Sequence, residues 1–246
     1  MEGVISAADH SNLPMNTSYL FKQPLTAILL ALCVWSVGAP EAQGQTVPTG
    51  FNNALVMGGW NEPVGFTFDS NGRWYVWERG GKVWIVENGV RLAQPLIDLS
   101  AEVGGWRDHG LLGFTLDPSF LTNGKIYLMY AVDRHHLMNF GTPNYNANTD
   151  QYYAATIMRI TRYTAIGPSY NTVDPSSRLV LLGETKKTGV IMTHESHSTG
   201  QLVFGSDGTL LATVGDAASY NNVDVGSDAG TYYAQALADS IMRPKE

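Results

Sequence analysis

The sequence predicts an all-β fold built from a repeated four-stranded unit, and three observations predict it. Charged residues make up only 15% of the chain, while Phe, Trp and Tyr reach 11% and glycines number 26. That balance favours strands and turns over helices, which lean on Ala, Leu, Glu and Lys. From residue 60 onward, short apolar runs of period-two character alternate with turn dipeptides. One pattern, strand, Asn-Gly or Asp-Gly turn, strand, occurs three times, with turn residues that tolerate the positive φ of a tight hairpin.

In chain order, the first hairpin is Val64 to Asp69, the turn Asn71-Gly72, and Arg73 to Trp77. Lys82 to Val86 and Pro95 to Leu99 complete its unit. The second hairpin is Leu112 to Asp117, a loop ending in Asn123-Gly124, and Lys125 to Tyr130. Thr156 to Tyr163 and Arg178 to Leu182 complete the second unit, after a polar and aromatic insert, Asp133 to Tyr153, that reads as a loop. The third hairpin is Gln201 to Gly205, Asp207-Gly208, and Thr209 to Val214. Four strands in about 45 residues is the pattern of β-propeller blades. A β-sandwich also places strands every 8–12 residues or so but does not require the repeated hairpin. Two and a half repeats reach Glu246, whereas propellers close with about four to eight blades. The expectation is therefore an incomplete propeller, a fragment or a truncated product spanning residues 46–246.

Ahead of it, Lys22 precedes an apolar run from Pro24 to Trp35, followed by small residues up to Gly44. The run is shorter than the roughly 20 residues a spanning helix needs, and the layout is that of a secretory leader over residues 1–44. Met15 is an alternative start. Cleavage near Gly44 or Gln45 leaves no membrane span and removes Cys33, the single cysteine, so disulfides are excluded from the mature chain. The expected location is periplasmic or secreted. The net charge of −7, with scattered Lys and Arg, lacks the basic footprint of a nucleic-acid binder.

Five histidines lie beyond the leader. His135-His136 stands where a strand runs out into the insert, and on an extended segment adjacent rings face opposite sides, as in a solvated pair. His194-Glu195-Ser196-His197 brackets a carboxylate with two imidazoles, but a zinc motif of this kind needs a helix, and Thr193 to Thr199 reads as a Ser/Thr-rich loop. His197 precedes the first strand of the third unit, and Asp108-His109 occupies the matching position before the second. Such loops point toward a propeller's central channel, where a neutral imidazole can accept a proton. The alternative is a turn histidine satisfied by backbone.

These segments resemble the PQQ-dependent soluble glucose dehydrogenase and sorbosone dehydrogenase family. The likeness is carried by Pro63-Val-Gly-Phe66 with Val76-Trp-Glu-Arg79 and Lys82-Val-Trp84, then by His109-Gly-Leu-Leu-Gly-Phe114 with Asp117-Pro-Ser-Phe120. It continues in His197-Ser-Thr-Gly-Gln-Leu202 with Phe204-Gly205, Asp207-Gly208 and Val214-Gly-Asp216. The resemblance implies a six-bladed propeller, with PQQ and calcium as cofactors, and a sugar substrate whose hydride passes through PQQ to an electron acceptor. It makes His197 the catalytic base and places Asp108, His109 and Gln201 around substrate and cofactor. Asp108 stands where glucose dehydrogenase has an amide, Ser196 where it has an aspartate, and Gln201 where arginine occurs, which leaves the sugar open. Two further readings stand beside it: a non-catalytic secreted propeller binding a carbohydrate or a protein, and a calcium-dependent lactonase-like hydrolase, which lacks the His-x-x-Gly segment.

Overall fold

A computed structural model of the chain describes residues 47–217. The predicted leader lies outside the described residues, and Met57 begins the compact unit that carries the sheets.

Strands β1 (Pro63–Phe68), β2 (Trp74–Glu78) and β3 (Lys82–Glu87) form an antiparallel meander, and β4 (Val90–Arg91) and β5 (Ile97–Asp98) both pair with the outer edge of β3. β4 covers one end of β3 and β5 the other. The second sheet repeats this plan with β6 (Leu111–Leu116), β7 (Lys125–Ala131) and β8 (Thr156–Ala165); β9 (Val173–Leu182) and β10 (Val190–Met192) share the outer edge of β8. A third hairpin, β11 (Thr199–Phe204) and β12 (Leu210–Val214), follows. Each of the two larger sheets thus has four positions across, with the fourth filled by two chain segments. The sequence locates the first three strands of each. It overestimates β5, expected as Pro95 to Leu99, and misses β10, which is too short to show a period.

The hairpins are closed by a shared device. Asp69, just after β1, accepts the amides of Asn71 and Arg73 on Oδ1 (2.9 and 3.1 Å) and the Tyr75 hydroxyl on Oδ2 (2.9 Å). Asp117, just after β6, accepts the Ser119 amide at 2.9 Å, the Asn123 side-chain amide at 2.8 Å and the Tyr127 hydroxyl at 3.1 Å. Between them runs a single helical turn, α1 (Phe120–Asn123), ended by Gly124 at φ 66°. That turn replaces the expected loop.

Alternation decides what lies between the sheets. Tyr75, Trp77, Val83 and Ile85 from the first sheet meet Leu111, Phe114 and Leu128 from the second, all buried. Trp77 packs on Phe114 at 5.5 Å between ring centroids and donates from Nε1 to Leu112 O at 3.0 Å. On the other face of the second sheet, Met129, Met158 and Met192 form a separate cluster with Leu202 of β11. Unbranched methionines fill irregular gaps well.

The insert differs from its expected form. Asp133 accepts the amides of His135 (2.7 Å) and His136 (3.2 Å) and starts a helix, α2 (Arg134–Asn139), as N-terminal capping by Asp does. His135 and His136 are therefore helical, not extended. His135 accepts the Asn146 amide on Nε2 at 3.1 Å, and His136 stacks on Phe140 at 4.6 Å between centroids.

Candidate functional site

Two loops that lead into the first strands of their sheets, 106–110 before β6 and 193–198 before β11, meet directly. The Asp108 amide donates to Glu195 O at 3.1 Å. His109 Nε2 lies 2.9 Å from His194 O; a carbonyl only accepts, so the proton sits on Nε2. Nδ1 of His109 has no hydrogen-bond partner among the described residues. The ring is fully buried against Trp106, 4.8 Å between centroids, and burial pushes its pKa below the ordinary range. Trp106 in turn touches Tyr152 and Tyr153 at the end of the insert, so the insert braces this corner.

His194 is buried as well. Its Nδ1 accepts the Ser196 amide at 3.2 Å and lies 2.9 Å from the Ser196 hydroxyl. Burial, with the nearby His197, depresses its pKa. Glu195 is buried beside the Arg107 guanidinium, 3.9 Å away. The three residues before His197 thus point inward and hold the loop.

His197 differs from them. It sits at φ 52°, a left-handed conformation uncommon for non-glycine residues, with its side chain 53% exposed. Two backbone bonds lock it: Ala217 N donates to His197 O at 2.9 Å, and Gly215 N donates to Ser198 O at 2.7 Å. A Cβ at position 215 would run into the His197 carbonyl, so only glycine lets β12 leave the hairpin here. The closure brings Asp216 Oδ1 to 3.0 Å from His197 Nδ1. A carboxylate only accepts, so Nδ1 carries a proton, and in the neutral ring Nε2 keeps its lone pair. The result is an exposed imidazole oriented through Nδ1 by the Asp216 carboxylate.

Of the residues expected here, Asp108 and His109 share a loop that is bonded to the loop carrying His197. Asp108 is exposed and His109 buried. Gln201 lies on β11 with an exposed side chain, and its backbone N–H donates to Thr213 Oγ1 at 2.9 Å. Asp216, nineteen positions from His197, is the residue that sequence reasoning left out of the site. It stood in the quoted Val214-Gly-Asp216 segment, but only the β11–β12 pairing shows which imidazole it meets.

A family model described as Glucose / Sorbosone dehydrogenase matches residues 60–235. The chain belongs to the glucose/sorbosone dehydrogenase family. Within the family match lie the His197–Asp216 pair and both loops. Among curated proteins, Hedgehog-interacting protein of Mus musculus and of Homo sapiens are each 27% identical over 168 residues, 65% of this chain and 21% of their own length. The solved PQQ-bound form of aldose sugar dehydrogenase from Streptomyces coelicolor is 20% identical, with TM-score 0.48 over 68% of this chain and 42% of that one. The soluble aldose sugar dehydrogenase from Escherichia coli, in its apo-form, is 20% identical, with TM-score 0.44 over 65% and 39%. The chain therefore spans about a fifth of these curated relatives and about two fifths of these solved chains.

PQQ is a tricarboxylate and needs cations around it. The two loops present one, Arg107, which is beside Glu195, against the carboxylates of Asp108 and Asp216. No group of three or more His, Cys, Asp or Glu among the described residues is arranged to hold a metal ion. The described residues fit a proton acceptor and not, by themselves, a cradle for PQQ or calcium. Among the described residues no helix is long and apolar enough to cross a membrane.

Proposed function

We propose that this chain supplies the general-base corner of a quinoprotein sugar dehydrogenase of the periplasm or cell exterior, within a six-bladed propeller. The His197–Asp216 pair carries this reading, because an exposed imidazole with its Nδ1 proton fixed on a carboxylate is built to take a proton at Nε2. The proton comes from the hydroxyl of an aldose or related sugar. Removing it as the C–H bond is oxidised avoids a protonated carbonyl, and Asp216 stabilises the imidazolium that forms. His109 and the Asp108 amide hold the loop that presents His197, and in this reading the exposed Asp108 and Gln201 side chains contact the substrate. PQQ, with calcium, would supply the electron sink, held by residues other than those described.

The test is to reconstitute the complete reading frame with PQQ and calcium and follow dye reduction on a panel of aldoses. His197→Ala should lower turnover by about 10² or more. Undiminished turnover in that variant would overturn the assignment of the base.

A second reading, a non-catalytic propeller that binds a protein, is supported by the Hedgehog-interacting relatives. It predicts no sugar-dependent dye reduction in any reconstitution, and a partner contact that survives His197→Ala.

A further inference from the structure

A groove of about 1010 Å³ involves neither His197 nor Asp108. Its floor is an ion network. Glu102 Oε1 accepts from Arg159 Nη1 at 2.6 Å, Arg178 Nη2 at 2.9 Å and the Tyr130 hydroxyl at 2.6 Å. Burial opposes the charge on Glu102, but Arg178 and Arg159 outweigh it and hold the carboxyl below its ordinary pKa. Arg159 is buried and donates from all three nitrogens: Nε also donates to Gly183 O at 2.6 Å and Nη2 to Glu184 O at 3.4 Å. Arg178 is a third exposed and lines the groove.

The charges do not cancel. Two guanidiniums face one carboxylate, Asp98 is paired with Lys82 at 3.6 Å, and Lys186 and Glu184 at the rim have opposite signs. His136, also lining the groove, is buried, which depresses its pKa and leaves it neutral. One positive charge remains at the floor. The walls are apolar, from Leu96, Leu137 and Val173, and Phe140 at the mouth is 65% exposed. Apolar walls with a few convergent polar groups are the make-up of small-molecule sites.

We propose that this groove binds a small apolar monocarboxylate, its carboxylate toward Arg178 and its body along the Leu96–Leu137–Val173 wall beneath Phe140. A neutral molecule leaves the excess cation unmatched. A dianion brings its second charge against Glu102, which already shares Arg178.

The probe is benzoate, titrated into the full chain by calorimetry and saturation-transfer NMR, with benzyl alcohol and phenyl phosphate for comparison. Benzoate should bind saturably, at least about tenfold more tightly than either comparator, and more weakly as salt rises. Arg178→Met should remove about tenfold of the benzoate affinity and leave benzyl alcohol unchanged. Should that variant unfold, Phe140→Ala, which trims a largely exposed ring at its contacts with His136 and Tyr145, should weaken benzoate severalfold. His197→Ala should have no effect, which separates this site from the proposed reaction. Absence of saturable benzoate binding, equal affinity for benzyl alcohol, or insensitivity to both groove variants overturns the proposal.

Discussion

Asp216 converts an exposed histidine into an oriented base, and this makes it the most informative single residue to change. On the proposed function, Asp216→Asn keeps the shape but lets the amide favour the other tautomer, so sugar-dependent dye reduction by the PQQ-reconstituted protein should fall at least about tenfold with an unchanged circular dichroism spectrum. Gly215→Ala should act on the same pair through the backbone, since its Cβ meets the His197 carbonyl; both activity and the urea midpoint should drop. A pH effect follows from three other histidines. Burial lowers the pKa of His109, His136 and His194, so the unfolded chain binds protons at a higher pH than the folded one. Stability is fully present above the unfolded value near 6.5 and is lost as pH falls toward the lower folded values. Urea midpoints measured from pH 7.5 to 5 should decline, and His109→Gln should flatten the decline.

At the scale of elements, each of the first two hairpins ties an aspartate at the end of its first strand to a tyrosine on its second, Asp69 to Tyr75 and Asp117 to Tyr127. Tyr75 is fully buried, so Asp69→Ala leaves its hydroxyl unpaired and should cost about 1–3 kcal/mol in urea unfolding. These hairpins were legible because alternation and Asn-Gly or Asp-Gly turns are local signals. The helix at Arg134–Asn139 was not, because its start rests on the Asp133 cap while its two apolar residues, Leu137 and Met138, are adjacent and make no stripe. The two-residue β5 and three-residue β10 exist only by pairing with β3 and β8, and no window along the chain contains that information. The site divides in the same way. Matching positions before β6 and β11 marked His109 and His197 as a pair of loops, but which nitrogen was held, and by whom, depended on the closure of β11 on β12.

At the scale of the molecule, the buried Glu102 joins three parts of the second sheet: Tyr130 on β7, Arg159 on β8 and Arg178 on β9. Glu102→Gln removes the countercharge from the buried Arg159 and should destabilise the unit by about 3–5 kcal/mol, read from urea unfolding. The two-piece outer position of each sheet has a different consequence. An uninterrupted outer strand offers its free amides and carbonyls to any neighbouring chain, and is a template for ordered aggregation. Here β4 and β5 are two residues each, while β9 contains Pro175 and two register shifts against β8. Breaking the rim into short or irregular pieces denies a foreign strand a continuous ladder, and so protects the chain against fibril growth without burying the rim.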